Sequence, residues 1–393
     1  MDQRTARPQV QTRQHLFDFL QDQMQTTYED LTEERRLAFE STLVKTYIFE
    51  VDVPQDLDAE QHASMGRFVQ ALFLPKGRRD TLVSVSPRSE NGFFELNLRR
   101  GRQEAVLYLD TATNRRFWLG FSISNATTLD WWVDSLSQTQ TAFDTVWLWP
   151  SFLESVQARG IPRGFGLDYD YRKFESDDPE KTAYLKMQLW GGSDTDALYK
   201  LLRSNREFSD KVVLAKVRMK EFAGSDNDDI FALQDLKYQG KFTTRGTSFR
   251  VHAATASFVR ASYEAKIRQI EDNYTIRWKQ SDLGRLSLEG FAIHFVPQQT
   301  EIPVETFCEG ALRGTTPFRL FGLTRMVNDY SAVSQIVDLH TGGQFSLEIH
   351  PDLISLYLAE GACGNSVARF YTNLQHTLGA SFRVETDSGD SVF

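Results

Sequence analysis

An α+β fold is predicted for this 393-residue chain by three patterns in its sequence. Apolar residues recur at helical spacing near the N-terminus, polar and apolar residues alternate over residues 81–122, and strand patterns return after residue 286. The predicted order is a helical N-terminal section, then an antiparallel meander that runs into a mixed sheet with β-α-β-β-α-β-like order. A strand-rich C-terminal domain closed by one helix follows.

The composition is that of a globular protein, with 41% hydrophobic and 25% charged residues. Aromatic residues make up 12% of the chain, which favours packed cores over disorder. No stretch reaches the ~18 consecutive apolar residues that span a bilayer. The two cysteines, Cys308 and Cys363, are too few for a disulfide framework. These features predict a soluble, cytoplasmic protein that has no membrane association.

Four segments are predicted along the chain. They are a helical section over residues 1–55, a meander and mixed-sheet domain over 56–223, a linker over 224–239 and a strand-rich domain over 240–393. The linker is predicted because turn formers and charged residues cluster after Gly224. The last domain is expected to be acidic, since residues 281–393 contain no lysine and an excess of carboxylates over arginines.

The individual elements follow from local signals. Leu16, Phe19 and Leu20 lie at helical spacing in a first helix, and Asp30 with Glu33 resembles a capping pair that begins a second. Alternating residues and turn formers then predict the meander strands, at residues 81–85, 93–98, 104–108 and 117–122. The remaining predictions are helices at 129–136, 150–160, 194–207 and 254–273, strands at 46–53, 145–149, 165–173, 182–190 and 211–219, a strand pair around Gly240, and strands after Leu286.

A β-hairpin is predicted near residue 342, because polar and apolar residues alternate on both sides of it. Both apolar sets share one face only if a three-residue loop, residues 341–343, places Leu339 opposite Phe345. The predicted buried face then contains Val337, Leu339, Phe345, Leu347 and Ile349, and the predicted outer face carries Asp338, His340, Glu348 and His350. No metal site is predicted, because the two histidines would lie roughly 20 Å apart at ~3.3 Å per residue.

Cys363 is the candidate nucleophile of this chain. It lies between a predicted strand at residues 353–358 and a predicted helix with Asn365 as its N-cap. A cysteine beside a helix N-terminus has its thiol pKa lowered by the helix dipole, and strand-turn-helix is the arrangement of a nucleophile elbow. The motif is incomplete, because Asn365 stands where its last glycine is expected.

A thiol enzyme would also need a base near Cys363. His376 lies ~16 Å along the same helix, so the base would be His340, His294 or another histidine that the fold brings in, and Asp338 would orient His340. The alternative interpretation is structural, because a small buried cysteine packs as an apolar residue.

Six basic residues flank the first meander strands. Because alternate turns of an up-and-down meander lie at the same end, these residues are expected to meet in space. They are Lys76, Arg78, Arg79, Arg99, Arg100 and Arg102. Such a cluster can hold phosphates, RNA or a single strand. The alternative is that these charges simply occupy solvated turns.

The leading functional hypothesis is a non-enzymatic interaction or scaffold protein with another protein as its partner and no cofactor or metal. Its basis is that the sequence contains no convergent catalytic set and that its middle is rich in aromatic residues, with five of the seven tryptophans between Trp118 and Trp149. One alternative is a nucleic-acid-associated protein that uses the basic meander end. The other is a thiol hydrolase or transferase with Cys363 as nucleophile.

Overall fold

The fold combines helices with two antiparallel-rich sheets, which confirms the predicted α+β class. The computed structural model describes residues 10–29, 43–57, 62–174, 184–192, 194–224, 229–280, 286–299 and 301–393. Among the helices of these segments, none is both long enough and apolar enough to cross a membrane.

The described residues form eight α-helices and nineteen strands. The helices are α1 (Arg13–Glu29), α2 (His62–Leu72), α3 (Ala126–Thr139), α4 (Pro150–Gln157), α5 (Asp194–Ser204), α6 (Phe249–Tyr274), α7 (Val304–Ala311) and α8 (Gly364–Thr377). The first eleven strands are β1 (Val44–Val51), β2 (Thr81–Pro87), β3 (Phe93–Arg100), β4 (Gln103–Asp110), β5 (Phe117–Ser122), β6 (Phe143–Thr145), β7 (Ile161–Asp170), β8 (Tyr184–Trp190), β9 (Leu214–Phe222), β10 (Phe231–Lys237) and β11 (Lys241–Gly246). The others are β12 (Thr275–Gln280), β13 (Leu286–Glu289), β14 (Ile293–Pro297), β15 (Leu320–Asn328), β16 (Ser331–Asp338), β17 (Gln344–His350), β18 (Leu353–Ala359) and β19 (Phe382–Glu385).

The chain divides into two compact units, each assembled from three segments. The first unit is Met1–Thr145, Arg159–Ile161 and Met219–Arg260, and the second is Val146–Ala158, Pro162–Arg218 and Ala261–Phe393. Strand β10 of the first unit lies inside the segment that the sequence predicts as a linker. It forms there because the chain turns back at Gly240, at φ 72°, and β10 pairs with β11.

The first unit is built on a sheet with the order β2-β3-β4-β5-β1-β11-β10. Neighbouring strands from β2 to β5 are antiparallel, which confirms the predicted meander. Helices α2 and α3 contribute to one hydrophobic core with these strands, and Phe49, Trp118 and Trp132 are fully buried in it. The predicted capping pair Asp30 and Glu33 lies outside the described residues.

The second unit contains β7 paired with β8 and a separate sheet with the order β13-β12-β18-β17-β16-β15. Strand β14 joins β18 to β19, and only β12 and β18 pair in parallel among the described ladders of this sheet. Helix α8 follows β18, and all its residues are buried. Phe370 of α8 packs its ring 5.2 Å from that of Phe295.

The hairpin of β16 and β17 forms, but the predicted register of its first strand is wrong. Ile336 lies opposite Phe345 and Val337 opposite Gln344, so the loop is longer than three residues. Phe345, Leu347 and Ile349 are buried as predicted, whereas Val337 and Leu339 are 37% and 38% exposed. Asp338 and His340 therefore point inward. The sequence favours the predicted register, in which Asp338 faces solvent, because local alternation does not reveal that a buried cation pairs with this carboxylate.

Candidate functional sites

The basic end is the surface of the first unit formed by Lys76, Arg78, Arg79, Arg99, Arg100 and Arg102. Thr81 at the start of β2 lies opposite Arg100 at the end of β3, and Arg100 lies opposite Gln103 at the start of β4. This register places the loop before β2 beside the turn between β3 and β4. Five of the six side chains belong to exposed residues, and Arg100 is half-buried.

Trp131 of α3 supplies an aromatic ring to the basic end. The Arg100 guanidinium carbon lies 3.9 Å from the ring centroid, and that of Arg78 lies 6.0 Å away. A guanidinium at such distances is attracted to the ring quadrupole, which holds it in place. The sequence groups Trp131 with four other tryptophans between Trp118 and Trp149, for which core packing is the favoured interpretation, and its neighbour Trp132 is indeed buried.

Two carboxylates lie near the basic end. Asp80 approaches Arg100 at 3.8 Å, and Glu104 is opposite Arg99 across the β3–β4 ladder. An exposed pair of this kind contributes little binding energy, because solvent screens both charges. The surface therefore keeps an excess of positive charge in a chain whose formal net charge is −9.

A buried ion pair lies in the second unit, between β16 and α8. Asp338 is 1% exposed and its carboxylate accepts hydrogen bonds from the Arg369 guanidinium and from the Ser366 hydroxyl. The same carboxylate accepts the backbone N–H of His340 at 3.1 Å. Arg369 is fully buried and also donates its Nε–H to the carbonyl of Phe318 at 2.9 Å. Each member of the pair is therefore held by several donors or acceptors.

The pKa of Asp338 reflects two opposing effects. Burial by itself raises the pKa of this carboxyl, but the Arg369 charge, with smaller contributions from His340 and Ser366, brings the pKa below its ordinary value. Asp338 is thus ionised throughout the neutral range, and it cannot act as a proton donor there.

Cys363 lies immediately before α8 and is itself the N-cap residue of that helix. The helix begins at Gly364, next to Asn365, so its predicted start is confirmed, but the predicted N-cap Asn365 is wrong. The Asn365 side chain is turned instead to the Tyr263 hydroxyl, which donates a hydrogen bond to its carbonyl oxygen. Helix propensity rules could not foresee this, because Tyr263 comes from a distant helix.

The fold brings Cys363, His340 and Asp338 together. A ring nitrogen of His340 lies within 4.8 Å of the Cys363 sulfur, and both residues are buried. His376, which the sequence excludes as the base, donates a hydrogen bond from Nδ1 to the backbone carbonyl of Asp168 at 2.6 Å. Because a carbonyl oxygen only accepts, Nδ1 of His376 is the protonated nitrogen.

His252 in the first unit is a buried polar centre that sequence reasoning missed. Its Nδ1 donates to the side-chain amide oxygen of Gln234 at 2.7 Å and lies 3.0 Å from the Thr244 hydroxyl, and its Nε2 accepts from the Thr46 hydroxyl at 2.7 Å. Complete burial lowers the pKa of His252 to about 3, so this imidazole is neutral. Its partners lie on three separate elements, and no local pattern in the sequence connects them.

Comparison with known proteins gives a family. Residues 4–392 match the family described as MJECL33-like protein, and the chain belongs to that family. A similar relative is the Uncharacterized protein MJECL33 of Methanocaldococcus jannaschii. It is 26% identical over 421 residues that cover 98% of this chain and 96% of the relative. The resemblance therefore extends over both units.

Proposed function

We propose that this protein is a non-enzymatic binding protein that associates with single-stranded nucleic acid through the basic end. The observation that carries the proposal is the Arg100 guanidinium stacked 3.9 Å from the centroid of Trp131, inside a cluster of six basic residues. Proteins that bind single strands without sequence preference combine these two chemistries, cations for the phosphates and flat groups for the bases.

Each part of the basic end has a role in this proposal. Arg79, Arg99 and Arg102 are exposed, so their guanidinium groups can contact successive phosphates of a strand. Arg100 is fixed against Trp131, so its outer face is a preformed plane on which a base can stack. Leu82, which is 52% exposed beside Arg99, adds apolar contact area.

Replacing two exposed arginines should flatten the salt dependence of binding. The variant Arg99→Gln/Arg102→Gln removes two phosphate contacts, each of which contributes about 0.7 to the slope of log K against log salt for single strands. We expect the slope for an oligodeoxythymidine of about 20 nucleotides to fall by roughly 1.4. Fluorescence anisotropy over a series of salt concentrations measures it.

The matched control is Arg67→Gln/Arg250→Gln, which removes two exposed arginines of the same unit outside the basic end. Its slope should equal that of the unchanged protein. Equal slopes for all three proteins would place any binding elsewhere, and no binding at low salt would reject the proposal.

A second candidate function is thiol chemistry at Cys363, which is favoured by the His340 nitrogen within 4.8 Å of the sulfur. A histidine near a thiol can accept its proton, and the ionised Asp338 beside His340 favours the imidazolium that would result. Burial opposes this function, because Cys363 is only 7% exposed and a substrate must reach the sulfur.

Thiol labelling separates the two candidates. The non-enzymatic proposal predicts that a maleimide labels Cys363 in the folded protein slowly, no faster than Cys308, whose thiol pKa burial raises to about 11. The variants Cys308→Ser and Cys363→Ser show which part of the labelling comes from each cysteine. Rapid, stoichiometric labelling of Cys363 with Cys308 untouched would favour the thiol enzyme instead.

A further inference from the structure

A cleft of about 250 Å³ lies wholly within the second unit and has no part in the proposed function. Its walls come from the start of α4, from α5, from α8 and from the start of β19. Pockets of ~300–1,000 Å³ hold drug-sized ligands, so this cleft suits a smaller metabolite.

Two arginines line the cleft, and none of the described residues that line it is acidic. Arg203 pairs with Glu154, and Arg383 pairs with Glu385 at 2.6 Å. Both side chains remain more than half exposed, and a guanidinium that gives one or two of its five donors to a carboxylate has others left for a ligand. The arginines are therefore available to an anion.

The N-terminus of α4 lines the same cleft. Pro150 occupies the first helical position, and the N-cap residue Trp149 makes no side-chain capping bond. The backbone N–H of Ser151 at the next position, beside Pro150 on the wall, is therefore uncapped. An uncapped helix N-terminus attracts anions, because its N–H groups and the helix dipole both favour negative charge.

Gln375 of α8 provides an observation, independent of the two arginines and the helix N-terminus, that points to a ligand. It lines the cleft, it is 4% exposed, and its Oε1 has no hydrogen-bond partner among the described residues. Its Nε2 donates to the carbonyl of Ala380 and to the Tyr371 hydroxyl, both at 3.2 Å, which fixes the amide orientation. A buried acceptor without a partner is unfavourable, so a donor on a ligand would be favoured there.

We infer that this cleft binds a small phosphomonoester that carries a hydroxyl group, such as a sugar phosphate. The phosphate is bound by Arg203, Arg383 and the α4 N-terminus. Its two negative charges interact favourably with two guanidinium groups and with the positive end of the helix dipole. Gln375 Oε1 accepts the hydroxyl of the ligand. The ring of Phe382 on the cleft wall offers an apolar surface to the carbon skeleton.

The site is tested by isothermal titration calorimetry, which measures the affinity of the full chain for ribose 5-phosphate, for inorganic phosphate and for ribose. We expect ribose 5-phosphate to bind more tightly than either of the others. Arg383→Gln should weaken ribose 5-phosphate binding roughly tenfold, since a charge-assisted hydrogen bond is lost. Gln375→Met should weaken ribose 5-phosphate about fivefold and leave inorganic phosphate unchanged, because only the sugar donates to Oε1.

The matched control is Arg313→Gln. Arg313 is an exposed arginine of the same unit that also pairs with a carboxylate, Glu309, but it does not line the cleft. Its variant should bind ribose 5-phosphate normally. Absence of binding at millimolar ligand, or equal binding by the Arg313 and Arg383 variants, would overturn the site. Equal weakening of inorganic phosphate by Gln375→Met would overturn the ligand class. The basic end lies in the first unit, so the result of its oligonucleotide test does not depend on the result of the titrations at the cleft.

Discussion

Replacing Asp338 with asparagine is expected to lower the free energy of unfolding by about 3–5 kcal/mol at neutral pH. The change removes the carboxylate charge that is paired with Arg369, which is fully buried. An amide still accepts a hydrogen bond, but it does not compensate the charge that the fold has removed from water. Urea unfolding followed by circular dichroism measures the loss.

Glu348→Gln is the matched control, because Glu348 lies on the neighbouring strand β17 with an exposed side chain. That change should alter stability by no more than about 0.5 kcal/mol. The double variant Asp338→Asn/Arg369→Met should lose less than the sum of the single losses, since both members of the ion pair are removed together. A small, additive effect of Asp338→Asn would instead fit the register in which Asp338 faces solvent.

Acidification is expected to destabilise the first unit through His252. The folded-state pKa of about 3 is below the ordinary value of 6.5, so only the unfolded state binds the proton over most of this range. The stability contributed by neutral His252 is therefore complete above about pH 6.5 and is lost as pH falls towards 3. Between pH 7 and pH 5 the loss amounts to about 2 kcal/mol.

The variant His252→Gln isolates this contribution. It should be less stable at pH 7, because the bonds to Thr46 and Gln234 are disturbed, but it should lose about 2 kcal/mol less than the unchanged protein on going to pH 5. Exposed His15, on α1 of the same unit, provides the control His15→Gln, which should keep the full loss. Equal losses for all three proteins would contradict the buried, neutral state of His252.

Local signals in the sequence predict much of the fold. The meander follows from period-two alternation and turn residues such as Asn91 and Gly92, which act over a few residues and need no distant partner. The start of α8 beside Cys363 is predictable for the same reason. The six residues of the basic end are predictable as a group because their loops are fixed by neighbouring strands.

Long-range pairing explains what the sequence does not predict. Apolar residues occur on both faces of β16, with Ile336 on one and Val337 on the other, so alternation alone permits either register. The choice depends on Arg369, a cation on a helix some thirty residues later. The His252 centre and the cleft at Gln375 likewise combine residues from several distant elements.

Photo-crosslinking tests the proposed function most directly. Ultraviolet irradiation of the full chain with an oligodeoxythymidine of about 20 nucleotides at low salt, followed by mass spectrometry, identifies the residues that contact the bases. The proposal predicts crosslinks at Trp131 and in peptides that contain residues 76–82 or 99–104, with strong reduction in the variant Arg99→Gln/Arg102→Gln. Absence of crosslinks, or crosslinks confined to other surfaces, would contradict it.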